Sequence, residues 1–205
     1  DATLALGKND ENTTFKLGSI KTEVANNGTL KVVTNGTADK SVTLQALAEN
    51  DSANIGTAEN PLKGITFDHA DTNLTLGKNV KLYAKDSDAA NADRGKIELK
   101  NGSALYIANN EAKGLNSIKV GSADKDVAMI GHKELGGKVK VTNGVKLGHN
   151  KATLELATET ITVDANGINA HANGGTLMFV GQKNSTVNAK VGDANEFGSI
   201  KFEGS

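Results

Sequence analysis

Residues 191–205 read VGDANEFGSIKFEGS, and looser versions of this phrase occur as IGTAENPLKGITFDHA at 55–70 and IANNEAKGLNSIKVGS at 107–122. Each version contains an apolar residue, a turn of small residues with Asn, a Gly, and then a strand with an Ile near its start. Asn and Gly tolerate the left-handed backbone conformation that a sharp corner requires. The phrase therefore predicts a recurring corner that returns a short strand to an aliphatic core.

Short stretches of alternating apolar and polar residues dominate the rest of the chain, for example KVKV at 138–141 and TITVD at 160–164. A period of two is typical of a half-buried β-strand, and Asn-Gly pairs between such stretches are turn signals. No segment keeps apolar residues at helical spacing for the length of a helix. We predict an all-β fold with strands at 29–33, 41–47, 64–67, 73–76, 80–83, 96–100, 104–107, 117–120, 127–130, 138–141, 152–156, 160–164, 175–180 and 199–203.

Two architectures accommodate so many short strands. In an antiparallel β-sandwich, the Asn143-Gly144 pair within KVKVTNGVKLG at 138–148 is a hairpin signal. In a parallel right-handed β-helix, or β-solenoid, coils of roughly 20 residues stack about 4.8 Å apart. The repeated corner and the low aromatic content, 3% of the chain, favour the solenoid, because its narrow layers hold few large rings. We predict about ten short coils, with the antiparallel sandwich as the alternative.

Length and composition limit the organisation of the chain. Its 205 residues predict a single β-solenoid segment over 1–205, with an inserted loop at 85–95. Because the chain lacks an initial Met and a signal segment, we interpret it as part of a longer exported protein. The absence of Cys excludes a disulfide framework, and no apolar run reaches the length of a membrane span. The formal net charge of -1 gives no electrostatic reason to expect nucleic acid as a partner.

Metal-binding residues are scarce in the sequence. The four histidines, His69, His132, His149 and His171, show no ligand spacing, and we interpret them as turn or surface residues. The loop at 85–95 contains oxygen ligands that calcium uses, but their spacing is not that of an EF-hand. We interpret the loop as a solvated insertion, with calcium binding left open. Its oxygen ligands are Asp86, Asp88, Asn91 and Asp93.

No catalytic grouping stands out. Parallel β-helices include polysaccharide lyases and hydrolases, which need a proton-abstracting base or a pair of carboxylates. Arg94 is the only arginine, the carboxylates are scattered singly, and nucleophile and phosphate-loop motifs are missing. We predict that the chain is not an enzyme and nominate no catalytic, cofactor-binding or metal residue. Carboxylates from different coils can still converge, so a polysaccharide-degrading or glycan-binding β-helix stays open as the alternative.

Three phrases carry a family resemblance: GGTLMFVG at 174–181, STVNAKVGDANEFGSIKFEGS at 185–205 and IGTAENPLKGITF at 55–67. They resemble the passenger regions of rickettsial autotransporters, the surface cell antigen family, and most of all its outer membrane protein B type. In that family a Gly-Thr-Leu-x-Phe strand, a Thr-Val strand, a turn with Ala and Asn, and an Ile-x-Phe strand recur in this order.

The resemblance implies a bacterial cell-surface protein. The precursor would be exported and held by a C-terminal β-barrel in the outer membrane, which we expect to lie outside these residues, while the passenger stands on the cell exterior as a rod. It further implies a surface layer, adhesion to host cells, and a role in virulence. The implied partners are neighbouring copies of the chain and a host-cell receptor protein, without a cofactor. No family binding residue matches a position here.

Overall fold

A computed structural model describes residues 2–8, 10–34, 40–87, 94–109 and 114–203. These residues form nineteen β-strands and no helix. All paired strands run parallel. The predicted parallel β-solenoid is thus confirmed, and the antiparallel sandwich is wrong, because the chain completes a coil before each strand pairs with its neighbour.

The strands form two sheets. Sheet 1 contains β1 (Thr3–Gly7), β3 (Thr29–Val33), β5 (Ala53–Ile55), β6 (Leu62–Phe67), β8 (Val80–Ser87), β10 (Ala104–Ile107), β12 (Val127–Gly131), β14 (Thr153–Ala157), β17 (Thr176–Phe179) and β19 (Ser199–Phe202). Sheet 2 contains β2 (Thr13–Leu17), β4 (Ser41–Ala46), β7 (Asn73–Leu76), β9 (Arg94–Leu99), β11 (Leu115–Val120), β13 (Lys138–Leu147), β15 (Thr160–Val163), β16 (Ile168–Asn169) and β18 (Thr186–Asn188).

The chain passes from sheet 1 to sheet 2 and back, and each passage adds a coil. The path through sheet 2 joins eight strands in sequence order, so the solenoid makes about seven turns. The expected ten is therefore too high. The coils vary in length, as the register shows: Ile97 lies beside Ile118, whereas Leu30 lies beside Ile65. Because several corners are longer than expected, they contain residues that the prediction had assigned to additional coils.

The core is a stack of aliphatic layers between the two sheets. Alternate residues of each strand point inward, and Leu82, Ile97 and Ile118 are each at most 2% exposed. Burying one such side chain contributes about 1.5–3 kcal/mol. Among the described residues Phe67 is the one aromatic side chain fully within this core. The sequence expectation of thin aliphatic layers agrees with this packing.

Positive backbone angles mark the corners, as the Asn and Gly content predicted. Asn166 has φ +48°, Gly56 +72° and Gly192 +71°. The three versions of the corner phrase nevertheless occupy different places. The phrases at 55–70 and 191–205 lead into sheet 1, through β6 and β19, whereas the one at 107–122 leads into β11 of sheet 2. The three versions therefore do not stack on one another.

Asn143-Gly144 does not form a hairpin. The pair lies within β13, where the register with β11 is irregular between Leu115 and Ser117. Of the expected inserted loop, residues 85–87 end β8 and residues 94–95 begin β9, while 88–93, with Asp88, Asn91 and Asp93, fall outside the described residues. In the described ranges, no helix has the length and apolar character of a membrane span.

Candidate functional site

Both tyrosines and both methionines of the chain point outward from sheet 1. Tyr83, Tyr106, Met129 and Met178 alternate with inward aliphatic residues such as Leu82 on β8. Side chains alternate between the two faces of a strand, so these four share the outer face. In a chain with so few large side chains, their collection on one surface distinguishes that surface from the Lys-, Thr- and Asn-rich remainder.

Three rings on this face form a cluster. The ring centroids of Tyr83 and Tyr106 are 6.1 Å apart, those of Tyr83 and His132 6.1 Å, and those of Tyr106 and His132 5.9 Å. These spacings suit tilted and edge-to-face aromatic pairs. Tyr106 is 7% exposed and lies beneath, whereas Tyr83 is partly exposed. We call Tyr83, Tyr106 and His132 the aromatic cluster.

The tyrosine hydroxyls of the cluster stay protonated at neutral pH. Burial raises the pKa of Tyr83, and the negative charge of Glu59 raises it further. Burial likewise raises the pKa of Tyr106, with a smaller contribution from Glu159. A neutral phenol both donates and accepts a hydrogen bond. The cluster therefore offers polar groups at its edges as well as ring faces.

A tight loop after β12 positions His132. The backbone N–H of His132 donates to the carbonyl of Gly136 at 3.0 Å, and Gly136 donates back at 2.7 Å. The His132 Nδ1 accepts from the backbone N–H groups of Glu134 and Leu135, at 3.3 Å each. With Nδ1 used as an acceptor, the proton of the neutral imidazole lies on Nε2. The loop thus fixes both the ring and its tautomer.

Gly137 lets this loop pack against the cluster. Its φ is +102°, and a Cβ there would lie 3.0 Å from the Tyr106 ring and 2.5 Å from the Ile107 carbonyl oxygen. A larger residue would displace the ring or the coil beneath it. The glycine therefore allows the close approach that seats Tyr106 under His132.

A groove of about 400 Å³ lies beside the aromatic cluster. Its floor follows one outward row across neighbouring strands, in which Lys81 lies beside Ala104, Ala104 beside Met129, and Met129 beside Glu155. Tyr83 and the 132–134 loop border the groove, as does the corner at 101–103. We call this feature the sheet 1 groove.

The charges around the sheet 1 groove balance. Lys81 and Lys133 are cationic, and Glu134 and Glu155 are anionic. Within the described residues, none of these four side chains forms a hydrogen bond or an ion pair. Their polar groups are available to a bound molecule.

Several charged side chains on and beside sheet 2 form ion pairs with one another. Lys96 Nζ lies 2.8 Å from Asp71 Oδ1, and Glu98 Oε1 lies 2.8 Å from Lys100 Nζ and 3.1 Å from Lys119 Nζ. The hydrogen bond from Lys96 holds the pKa of Asp71 below its usual value. Burial alone raises the pKa of Glu98, but its bonds to the two lysines outweigh burial and lower it. These ionised groups connect neighbouring coils.

A second hollow, of about 490 Å³, lies along the Asn-rich corner beside β13 and β16. Its amides are engaged in the fold. Asn166 Nδ2 donates to Asn143 Oδ1 at 2.8 Å, and Asn169 Oδ1 accepts from the backbone N–H groups of Ala194 at 2.9 Å and Asn195 at 3.3 Å. This corner therefore serves mainly to hold successive coils together.

The histidines are spread over several corners. The Nδ1 atoms of His69 and His149 accept from the backbone N–H groups of Asp71 and Lys151, both at 3.2 Å, as His132 does in its own loop. The interpretation as turn residues is confirmed for these three, and His171 lies in a bend, partly exposed. In the part of the chain that the structure describes, no group of three or more His, Cys, Asp or Glu side chains is placed to hold a metal.

Arg94 and Asp86 each form a hydrogen bond with the backbone. Arg94 Nη1 donates to the carbonyl of Asp68 at 3.0 Å, and Asp86 Oδ1 accepts from the backbone N–H of Ser87 at 2.8 Å.

Sequence reasoning missed the aromatic cluster. A signal was present in KLYAK at 81–85, where alternation places Tyr83 on the same face as Lys81 and Lys85.

Comparison with known proteins finds one significant similarity among curated sequences. Outer membrane protein B of Rickettsia typhi (strain ATCC VR-144 / Wilmington) is 30% identical over 154 residues, which cover 73% of this chain. The chain spans only 9% of the length of that protein. No family model and no solved structure matches the chain. The resemblance to the outer membrane protein B type is confirmed.

Proposed function

We propose that this chain, an outer membrane protein B-like β-solenoid, is a surface-exposed passenger segment of a bacterial autotransporter with a structural and adhesive role. The observation that carries the proposal is the stack of parallel coils, because such a rod presents long outer faces while its core, apart from Phe67, is aliphatic. The similarity to an outer membrane protein supports the cell surface as its location.

The outer faces suit contact between proteins more than chemistry. Sheet 2 presents ion pairs that join coils, and its carboxylates Asp71 and Glu98 have lowered pKa values, unlike the raised pKa of a general acid. We propose a role without catalysis. Neighbouring copies of the chain in a surface layer and a host-cell receptor protein are the proposed partners.

Protease shaving of intact bacteria that make this chain tests the proposal. Peptides from the chain should be released from whole cells and should rank among the abundant surface peptides if it contributes to a layer. Release in small amounts would support adhesion without a layer. A periplasmic protein serves as the control for lysis. If peptides of this chain are released only after the cells are permeabilised, the surface location is wrong.

A further inference from the structure

We propose that the sheet 1 groove, bordered by the aromatic cluster, binds a short neutral oligosaccharide. The proposal goes beyond the structural role of the solenoid, because it assigns a ligand class to one defined surface. It rests on three features of the groove: ring faces at its wall, apolar side chains (Ala104 and Met129) at the middle of its floor, and unpaired charges of both signs around it.

The ring faces match the shape of a sugar. The pyranose ring has a face of C–H groups, which are weakly positive, and an aromatic face is negative at its centre, so the two attract each other when stacked. Tyr83 and His132 both line the groove. Tyr106 contacts both rings, at 6.1 Å and 5.9 Å between centroids. It is therefore a positioning residue that holds the two rings at the groove wall.

The cluster is not needed to complete the core. Inward residues on the same strands, Leu82 and Leu105, are fully buried between the two sheets, and Tyr106 lies on the opposite face of β10 from Leu105. Leaving the outward Tyr83 and Met129 partly exposed to water carries a hydrophobic cost, whereas Tyr106 is already covered. A ligand that stacks on Tyr83 and covers Met129 would remove that cost.

The polar groups favour a neutral sugar over a charged one. Each sugar hydroxyl donates and accepts, so one molecule can satisfy the ammonium groups of Lys81 and Lys133 and the carboxylates of Glu134 and Glu155. The two positive and two negative charges cancel across the groove. An anionic glycan would therefore gain no net electrostatic attraction in the groove, while its own charge would lose hydration on binding. The Nε2–H of His132 adds a further donor.

The size of the groove agrees with a short oligosaccharide. Its volume of about 400 Å³ lies within the usual range for ligand sites, about 300–1,000 Å³. The row from Lys81 to Glu155 crosses four neighbouring strands, a distance on the order of 14 Å at the strand spacing. Sugars placed along this row would lie parallel to the solenoid axis.

Tyrosine fluorescence of the 205-residue chain is the sharpest test. The chain has two tyrosines and no tryptophan, and both tyrosines belong to the cluster, so the emission reports on this site alone. The probes are maltotriose, cellotriose, N,N′,N″-triacetylchitotriose, mannotriose and lacto-N-tetraose, titrated singly. We expect a saturable change in emission with at least one neutral probe. Sialyllactose and a heparin tetrasaccharide should bind at least tenfold more weakly.

Variants separate binding from folding. Tyr83→Ala should weaken binding at least tenfold, whereas Tyr83→Phe keeps the ring face and should retain binding within about threefold. Since Tyr106 remains in both, its emission still reports occupancy. Lys31→Ala, at an exposed outward position of β3 in the same sheet, is the matched control and should bind as the parent does. Circular dichroism checks that each variant keeps its β-sheet spectrum.

The outcomes are distinct from those of the shaving experiment, because binding in solution does not depend on where the chain lies in the cell. The oligosaccharide proposal is overturned if no neutral probe gives a saturable change. It is also overturned if the anionic probes bind more tightly, or if folded Tyr83→Ala binds as well as the parent. Any of these results would leave the surface role of the solenoid untouched.

Discussion

Thr34 and Thr72 lie in neighbouring coils, and the hydroxyl of Thr34 donates to the hydroxyl of Thr72 at 3.0 Å. Both residues are fully buried. The Thr72 hydroxyl in turn donates to Asp68 Oδ1 at 2.6 Å, and the other Asp68 oxygen accepts from the backbone N–H of Thr34 at 3.0 Å. A closed polar network thus joins two coils at a corner that aliphatic packing does not fill.

Replacing Thr72 tests this network. Thr72→Val keeps the volume but removes an acceptor for Thr34 and a donor to Asp68, so we expect the free energy of unfolding to fall by about 1–3 kcal/mol. Urea unfolding at neutral pH measures the loss. Thr72→Ser retains the hydroxyl and removes one methyl group, at a cost of about 1 kcal/mol or less. Equal losses in the two variants would mean that the hydroxyl network contributes no stability.

Replacing Gly148 tests whether the close approach of neighbouring coils requires a glycine. It follows β13, and a Cβ there would lie 2.1 Å from the carbonyl oxygen of Gly121 in the neighbouring coil. Gly148→Ala must push the backbones apart, and we expect a loss of about 1–3 kcal/mol in urea unfolding. Gly18 follows β2 in the same sheet, and its nearest neighbour atom would be 3.8 Å away. Gly18→Ala is therefore the matched control, with little expected change. A similar effect at both sites would contradict steric packing as the cause.

The lowered pKa of Glu98 predicts that part of the stability of the fold is lost in acid. Its pKa is lower in the folded chain than in the unfolded chain, so its contribution is full above about pH 4.3, the unfolded value, and is lost as the pH falls through the folded value. Glu98→Gln should lower stability at pH 7 by no more than about 1 kcal/mol, because the pair is partly exposed. The difference from the parent should disappear at low pH.

Urea unfolding over a series of pH values measures this convergence. Glu49→Gln is a suitable control, because Glu49 is 86% exposed and its oxygen lies 3.8 Å from Lys78 Nζ. An exposed pair of that kind contributes little. A gap between the Glu98→Gln variant and the parent that stays constant at every pH would argue against an ionic contribution from Glu98.

Exposed apolar residues on the last described strand, β19, indicate that the isolated chain self-associates. Ile200 lies beside the inward Leu177, yet it is 51% exposed, and Phe202, stacked on Phe179 at 5.0 Å, is 76% exposed. An unpaired edge with core-facing apolar residues is a template for another chain. We expect the 205-residue chain to form larger species as its concentration rises, as measured by sedimentation velocity.

Substitutions on one strand give the control. Ile200→Asp places a charge on the core-facing side of β19 and should reduce association. Lys201→Asp, on the outward side of the same strand, should leave it largely unchanged. A parent chain that stays monomeric at every concentration tested would contradict the prediction of end-to-end contact.

Several strands were readable from the sequence, and others were not. β3, β7 and β10 have the predicted bounds because clean alternation and turn residues define them locally. β5 and β16 are only 3 and 2 residues long and form because β8 and β13 offer them a partner. Leu-Gly-x-Asn occurs at 6–9, 76–79 and 147–150; the last two follow the ends of β7 and β13 in sheet 2, whereas the first begins within β1 of sheet 1.

The sequence by itself determined the local properties of this protein: short strands, Asn and Gly corners, and aliphatic layers. Those properties depend on neighbours along the chain, which alternation and turn chemistry reveal. Only the tertiary structure decided the number of coils and which residues meet across them. Because the corners differ in length, the partner of a residue in the next coil has no fixed offset, as the pairs Ile97–Ile118 and Leu30–Ile65 show. For the same reason, sequence spacing alone does not predict that Tyr83, Tyr106 and His132 are in contact.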